Sequence, residues 1–328
     1  MKKKDKKKVI YLIILLVIAI IGTISPKTLE NLEKIYNENT LNEVTQVSSN
    51  VIKNENNLGI IENNASEINI DKEKLNILYL DVGQADSELI LYKDKVIVID
   101  TGNLNDGDKI ISYLKELNIT KIDYLIGTHI HEDHIGSMQY FIKEFEIGNI
   151  YLPYNDTSVN TYYKNLLAEI LNKNLQVDEV EAGNKFNIED LECEIMAVDN
   201  TNPEDQNDAS IVIEMTYKNN KFLFTGDATK EVEEKRLWND IDVLKVGHHG
   251  SNTSSSEGFI SQIKPEVSII SVGKDNSYNL PKQAIIDILK NSGSKVYRTD
   301  EDGTIQIVSD GTNYEIYKID RSFDGNEK

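Results

Sequence analysis

Cysteine is almost missing from this chain. The single one, Cys193, excludes a disulfide within the chain and any zinc-finger spacing. It sits in the alternating run Leu191-Glu192-Cys193-Glu194-Ile195-Met196, where a thiol reads as a small buried hydrophobe. Histidine is nearly as scarce: five in 328 residues, and all of them in two short stretches. Basic charge is short as well, with 35 Lys and Arg against 55 Asp and Glu, a formal net charge of −20. Six of those lysines lie in the first eight residues beside one Asp, so the remainder holds 29 basic against 54 acidic groups, or −25. Such a field repels polyanions at long range and weighs against tight nucleic-acid binding by this chain alone. Cleavage of a polyanion is not excluded, because bound metal ions invert the local sign.

Long apolar runs are limited to one. Val9 to Ile24 is almost unbroken and follows a Lys-rich start. It is slightly shorter than the ~20 residues of a spanning helix, a length within reach once the flanks are counted. A cleaved signal peptide and an uncleaved anchor compete here. No small-x-small site closes the run, which ends Thr23-Ile24-Ser25-Pro26, and no cysteine is present there for lipid attachment. The expectation is a basic cytoplasmic tail over 1–8, a transmembrane anchor over 9–25, and everything after Pro26 outside the cell membrane. Residues 26–73, rich in Asn, Glu, Ser and Lys, read as a flexible polar stalk. A globular domain is expected over 74–320 and a polar tail over 321–328, with no internal repeat.

Within the domain, apolar alternation predicts strands over 75–82, 87–92, 96–100, 122–127, 192–198, 210–217, 221–225, 267–271, 295–299, 304–308 and 314–319. Helical spacing predicts helices over 108–117, 137–145, 162–171, 230–238, 257–263 and 283–291. Two runs of strands with helices between them fit a sandwich of two sheets with helices outside.

The histidines carry the chemistry. Thr128-His129-Ile130-His131-Glu132-Asp133-His134-Ile135-Gly136 follows the apolar run Tyr124-Leu125-Ile126. His248 and His249 stand in Gly247-His248-His249-Gly250-Ser251, after the apolar stretch Val243 to Val246. Imidazole nitrogens and carboxylate oxygens hold zinc-class cations, whereas a purely structural zinc is closed and usually ligated by Cys. Side chains alternate along an extended segment, so His129 and His131 can face one ion. Asp133 and His134, where a helix begins, can face a second. Two ions about 3.5–4 Å apart can clamp the attacking and leaving oxygens of a displacement and bring a bound water from about 15.7 towards a pKa of ~7. With every histidine committed, no Ser/His/Asp nucleophile remains.

His-x-His-x-Asp-His-x-Gly resembles the signature of the metallo-β-lactamase fold superfamily. Asp81-Val82-Gly83-Gln84-Ala85-Asp86 is similar to the opening motif of the hydrolase domain in ComEC-type DNA-uptake proteins. So are Ile99-Asp100-Thr101-Gly102, Thr225-Gly226-Asp227, Val246 to Ser251, Ser271-Val272-Gly273-Lys274 and Tyr297-Arg298-Thr299-Asp300, in order over some three-quarters of the chain. The resemblance implies a four-layer αββα sandwich with two divalent ions, zinc or manganese, along one edge. It implies that Asp227 bridges both ions and that His248 completes the second site, with His249 packing or supporting beside it. Many superfamily members place a further His on the first ion. Here the corresponding stretch is Gln206-Asn207-Asp208-Ala209-Ser210, so Asp208 is either that ligand or a strand cap, and a carboxylate there favours manganese.

Asp133 or Asp227 is expected to take the proton of the attacking water, and Asp100 to orient ligand imidazoles or loop amides. Asp81 and Asp86 flank the opening turn, either holding its backbone or lining the site. Ser251, Asn252 and Thr253, and likewise Lys274, Asn276 and Tyr278, either meet a bound phosphate or form ordinary polar loops. One departure stands out: ComEC-type domains read Tyr-Gly-His-Pro where this chain has Tyr278-Asn279-Leu280-Pro281.

The function implied is a membrane-anchored extracytoplasmic phosphodiesterase or nuclease acting on DNA beside uptake-channel proteins. Its alternatives are a cell-envelope phosphodiesterase acting on phosphorylcholine or teichoic-acid type polymers, and a non-catalytic module of a DNA-uptake apparatus.

Overall fold

A computed structural model describes residues 61–154, 160–201 and 203–326. The expected tail, anchor and most of the stalk lie outside the described residues. Among the described residues no helix is long and apolar enough to cross a membrane.

Among the described residues fifteen strands form two sheets. The first eight-stranded sheet runs β1 (Ile61–Ala65), β15 (Tyr314–Ile319), β14 (Thr304–Ser309), β2 (Leu75–Tyr79), β3 (Glu88–Tyr92), β4 (Lys95–Ile99), β5 (Lys121–Ile126) and β6 (Glu146–Tyr151). The seven-stranded sheet runs β13 (Lys295–Arg298), β12 (Val267–Ile270), β11 (Val243–Lys245), β10 (Asn220–Phe224), β9 (Val212–Tyr217), β8 (Leu191–Ala197) and β7 (Lys185–Ile188).

The two-residue period of a strand explains the layering. Along β2, Leu75, Ile77 and Tyr79 point into the core between the sheets, where they join Ile195, Ile213, Phe222, Phe224 and Ile307. Leu78 and Leu80 point the other way, onto a second core with α1 (Gly107–Glu116), α3 (Met138–Glu144) and α4 (Thr161–Asn172). A third core lies outside the seven-stranded sheet, under α5 (Lys230–Glu234), α6 (Glu257–Ile263) and α7 (Gln283–Asn291). Helices thus cover the outer face of each sheet. Strands buried on both faces are mostly apolar, which is why β2, β3 and β4 are so legible in sequence despite the buried Asn76 and Glu88.

Two segments differ from the sequence expectation. Residues 61–65, placed in the stalk, form β1 in parallel register with β15. An edge strand needs only one neighbour and can stay polar, so its sequence IENNA gives no alternating signal. Residues 321–326, placed in a polar tail, are docked. Phe323 is 1% exposed, tilts against Tyr113 at 5.4 Å, and lies under the Arg321 guanidinium. Its N–H donates to Asp81 O at 2.6 Å. A lone aromatic in a polar run has no local pattern to announce it.

Asp106, fully buried, accepts from Gly325 N–H (2.8 Å) and Asn103 N–H (2.6 Å) and so ties this segment to α1. Burial pushes its carboxyl up to about 6, against those two donors. A raised carboxyl contributes stability that is fully present below its ordinary 3.8 and is lost as pH rises through about 6. Asp106→Asn does not titrate. The wild type should therefore lose stability relative to that variant between about pH 4 and pH 7, measured as the difference in urea midpoints; a difference that does not change with pH would reject this account.

Candidate metal centre

Apart from Asp208, which follows the antiparallel β8, every candidate ligand lies on a loop that leaves the carboxyl end of a parallel strand. In the first sheet β4, β5 and β6 are parallel, and in the second β10, β11, β12 and β13. Ligand sites in open parallel sheets form at such ends, where loops diverge and leave a crevice. Asp100 follows β4, the 129–134 segment follows β5 and opens α2 (Glu132–Ile135), Asp227 follows β10, and the His248-His249 turn follows β11. The two loops from the first sheet meet the two from the second. Gly226, at φ +50°, lets them close: a Cβ there would stand 2.8 Å from the Thr128 side chain.

The hydrogen bonds settle which nitrogen of each ring faces inward. His134 Nδ1 lies 2.7 Å from Asp100 Oδ2, and a carboxylate can only accept, so Nδ1 holds the proton. Thr128 Oγ1 donates to Asp100 Oδ2 at 2.7 Å, leaving its lone pair to accept from His129 Nδ1 at 3.2 Å. His249 Nδ1 donates to Ser271 O at 2.9 Å. The Thr253 hydroxyl donates to Ser251 Oγ at 3.0 Å and accepts from His248 Nδ1 at 2.8 Å. All four rings spend Nδ1–H outward and turn Nε2 towards one carboxylate, Asp227. Its oxygens lie 3.3 Å from His134, 3.6 Å from His248, 3.8 Å from His249 and 4.0 Å from His129. His131 joins from the other side, its Nδ1 2.9 Å from His129 Nε2.

Such a set fits a cation. His134 Nε2 and Asp227 Oδ1 are buried without a hydrogen-bond partner, although unpaired buried polar atoms are rare in native folds. Ligand atoms of His129, His134 and Asp227 lie within 4.8 Å of one another, as do those of Asp133, His134 and His249. Asp86, Asp100 and His134 meet the same distance test, but Asp100 already accepts from His134 and Asp86 from Lys245, so that group is support and not a third site. Without an ion, only His134 and His249 are favoured in the charged form, with a proton on the inward nitrogen as well. Burial pulls His249 down, yet Asp227 and Asp86 outweigh it and push it up to about 10; His134 is raised in the same way by Asp227 and Asp100. His129, deepest in the group, is held well below the usual range by burial.

A sequence profile of the metallo-beta-lactamase superfamily matches residues 80–274, the span from the end of β2 past the second histidine pair. The chain belongs to that superfamily. It is 32% identical over 249 residues to ComE operon protein 3 of Bacillus subtilis, covering 69% of this chain and 32% of that one. It is also 32% identical over 235 residues to Recombination protein 2 of Haemophilus influenzae (70% and 28% covered), and 27% identical over 232 residues to competence protein ComA of Neisseria gonorrhoeae (69% and 31% covered). The matched region thus spans about a third of those relatives' length. The metallo-beta-lactamase fold typically binds divalent metals, and this member supplies the His/Asp groups for it.

Both histidines of the second motif approach the carboxylates: His249, expected beside the ligands, stands with Asp133 and His134, its Nε2 3.3 Å from Asp133 Oδ2. His248 reaches Asp227 from the more exposed side. Both lie at positive φ, 50° and 51°, so the turn presents both rings inward instead of alternating them. Asp208 is not among the converging ligand atoms: its Oδ1 accepts from the Thr229 hydroxyl, which fixes it beside α5. Asp100 orients His134, as its position in the sequence implied. Ser251 and Thr253 brace His248.

Asn276 spends its amide on its own loop, donating to Gly273 O and Leu280 O and accepting from Leu280 N–H. Lys274 and Tyr278 line an adjacent cavity, while Leu280 packs partly buried against the third core. Sequence reasoning missed Lys245 and left Asp86 undecided. A lysine inside the otherwise apolar run Val243 to Val246 was the available signal.

Proposed function

We propose that the protein is a metal-dependent phosphodiester hydrolase of the ComEC-like type, with two divalent ions, zinc or manganese, and DNA as its substrate class. The observation that carries this is the convergence of the Nε2 atoms of four imidazoles on Asp227, from loops of both sheets, with His131 against His129 and Asp133 against His249. His129, His131 and His248 would hold one ion and Asp133, His134 and His249 the other, with Asp227 between them. When bound, the ions supply Lewis acidity and a water acidified into the neutral range. The chain's own residues do the rest. Asp133, whose side chain is 32% exposed on the cavity wall, is placed to accept the attacking water's proton at a carboxylate oxygen. Attack on phosphorus then expels an alkoxide. Leu280 offers that leaving group no proton; the protonatable groups on the same cavity are Lys274 and Tyr278. The names of the competence and recombination relatives support a nucleic-acid substrate. The run over 9–25 would hold the domain outside the membrane, beside uptake-channel partners.

One observation favours a second reading. The cavity beside Asp133, about 940 Å³, is lined by Asp81, Glu132, Asp133, Asp275, Asp300, Glu301, Asp320 and Asp324 against Lys274 alone. Arg298 offsets part of this, pairing with Asp300 and Glu301 at 2.6 and 2.8 Å. A polyanion would be poorly received there, whereas a cell-envelope phosphodiester bearing a positive group, such as a phosphorylcholine ester, would be drawn in.

Both readings are tested with the full-length protein and Mn²⁺ or Zn²⁺. Bis-p-nitrophenyl phosphate should be turned over, and His131→Ala should lower the rate by about 100-fold or more. Faster cleavage of single-stranded DNA than of p-nitrophenylphosphorylcholine selects the first reading, and the reverse selects the second. No turnover with either metal would leave a non-catalytic module.

A further inference from the structure

Beneath the metal centre lies a lysine that the reaction does not use. Lys245 ends β11 and is 1% exposed. Its ammonium donates to Asp86 Oδ2 at 2.5 Å and to Val246 O at 3.3 Å. A buried ammonium is strongly unfavourable unless paired and hydrogen-bonded, so its place needs a reason.

Asp86 supplies one. It sits between β2 and β3 of the eight-stranded sheet, while Lys245 belongs to the seven-stranded sheet, so the pair crosses the sandwich. The main chain of Asp86 is tied to the ligand loops: its N–H donates to Asp133 O at 3.0 Å, and its carbonyl accepts from Gly102 N–H at 2.9 Å. Its second carboxylate oxygen, Oδ1, is buried without a hydrogen-bond donor and lies 3.2 Å from His249 Nδ1, an ion-pair contact beside the hydrogen bond which that N–H gives to Ser271 O. With Oδ2 held by the ammonium, Oδ1 lies beside the His249 ring. Without the ammonium, the carboxylate is free to turn towards His134, whose Nδ1 is already 3.9 Å from Oδ2.

We propose that Lys245 is a positioning residue, which pins Asp86 so that Asp86 and Ser271 together aim His249 Nε2 at Asp133 and Asp227. The proposal rests on the two-ion reading above, in which His249 holds the second ion. Partners behind a metal-binding histidine fix its tautomer and ring plane, and their loss typically weakens metal affinity by about 10–100-fold. The competing account is a cross-sheet staple that contributes stability alone.

The test is metal titration of the full-length protein, with Co²⁺ followed by its visible spectrum and Zn²⁺ or Mn²⁺ followed by calorimetry. Wild type should take up two ions. Lys245→Met should bind the first within about twofold of wild type and the second about 10–100-fold more weakly. Because Lys245→Met leaves a buried carboxylate without its partner and can unfold, Asp86→Asn/Lys245→Met is measured beside it. This double variant should recover the thermal midpoint and keep the weakened second ion. A double variant that recovers both midpoint and second-ion affinity makes the pair a staple and overturns the proposal, as does a folded Lys245→Met with two wild-type affinities. If wild type itself binds fewer than two ions, the two-ion reading fails and takes this inference with it, and the failure is recognised because it appears in the wild type.

Discussion

Asp227→Asn should lower the turnover of bis-p-nitrophenyl phosphate by about 10²–10⁴-fold and reduce bound metal, with the fold intact. Asp227 is 1% exposed, and its carboxylate is the point on which the Nε2 atoms of four imidazoles converge. Burial alone would push it up, but His134 and His249 outweigh that and hold it well below the usual carboxylate range. It is therefore a buried anion, balanced by bound cations or by the imidazoles around it. Asn keeps the shape and loses the charge, so packing and the backbone bond from Asp227 N–H to Ser210 Oγ survive. The measurements are kcat and metal content by elemental analysis. A variant with full metal and more than about a tenth of wild-type turnover would remove Asp227 from the centre.

The second large effect separates neighbouring residues. His249→Ala should lose one ion, lower turnover by about 100-fold or more, and destabilise the metal-free protein by about 3 kcal/mol. His248→Ala should also lower turnover, yet change metal-free stability by less than about 1 kcal/mol. The contrast follows from burial. His249 is 2% exposed and faces the buried Asp86 and Asp227 and the partly exposed Asp133, so its removal takes away one of the cations that, with Lys245 and His134, balance this carboxylate cluster. The His248 side chain is 25% exposed and braced by the Thr253 hydroxyl, so water can replace what it loses. Urea unfolding in the presence of a chelator decides between them. Equal stability of the two variants would show that His249 carries no buried charge balance.

Much of this architecture is legible residue by residue. β2, β3 and β4 are mostly apolar on both faces and announce themselves, and Gln283–Asn291 and Glu257–Ile263 form helices at the predicted residues. Helix α5 ends at Glu234, short of the expected Trp238, whose indole N–H instead donates back to Glu233 O at 2.7 Å. β1, β6 and β7 stand at sheet edges and gave weak signals: β1 is polar, β6 breaks its alternation at Gly148-Asn149, and β7 alternates over only four residues. Edge position and contacts from distant segments outweigh local propensity in these places.

The residue types of the metal centre were fixed by the chain alone. With five histidines confined to two motifs and a Gly-Asp pair at a strand end, few other chemistries were open to it. Which histidine stands with which carboxylate was decided only in three dimensions. His249 meets Asp133 across 116 residues, and Lys245 meets Asp86 across 159. Two consecutive residues at positive φ override the alternation that a linear reading assumes. Local sequence sets which atoms are available and roughly which way a strand or helix turns them. The packing of one sheet against the other sets which of those atoms share a cation, since distances across a sandwich depend on every side chain that fills it.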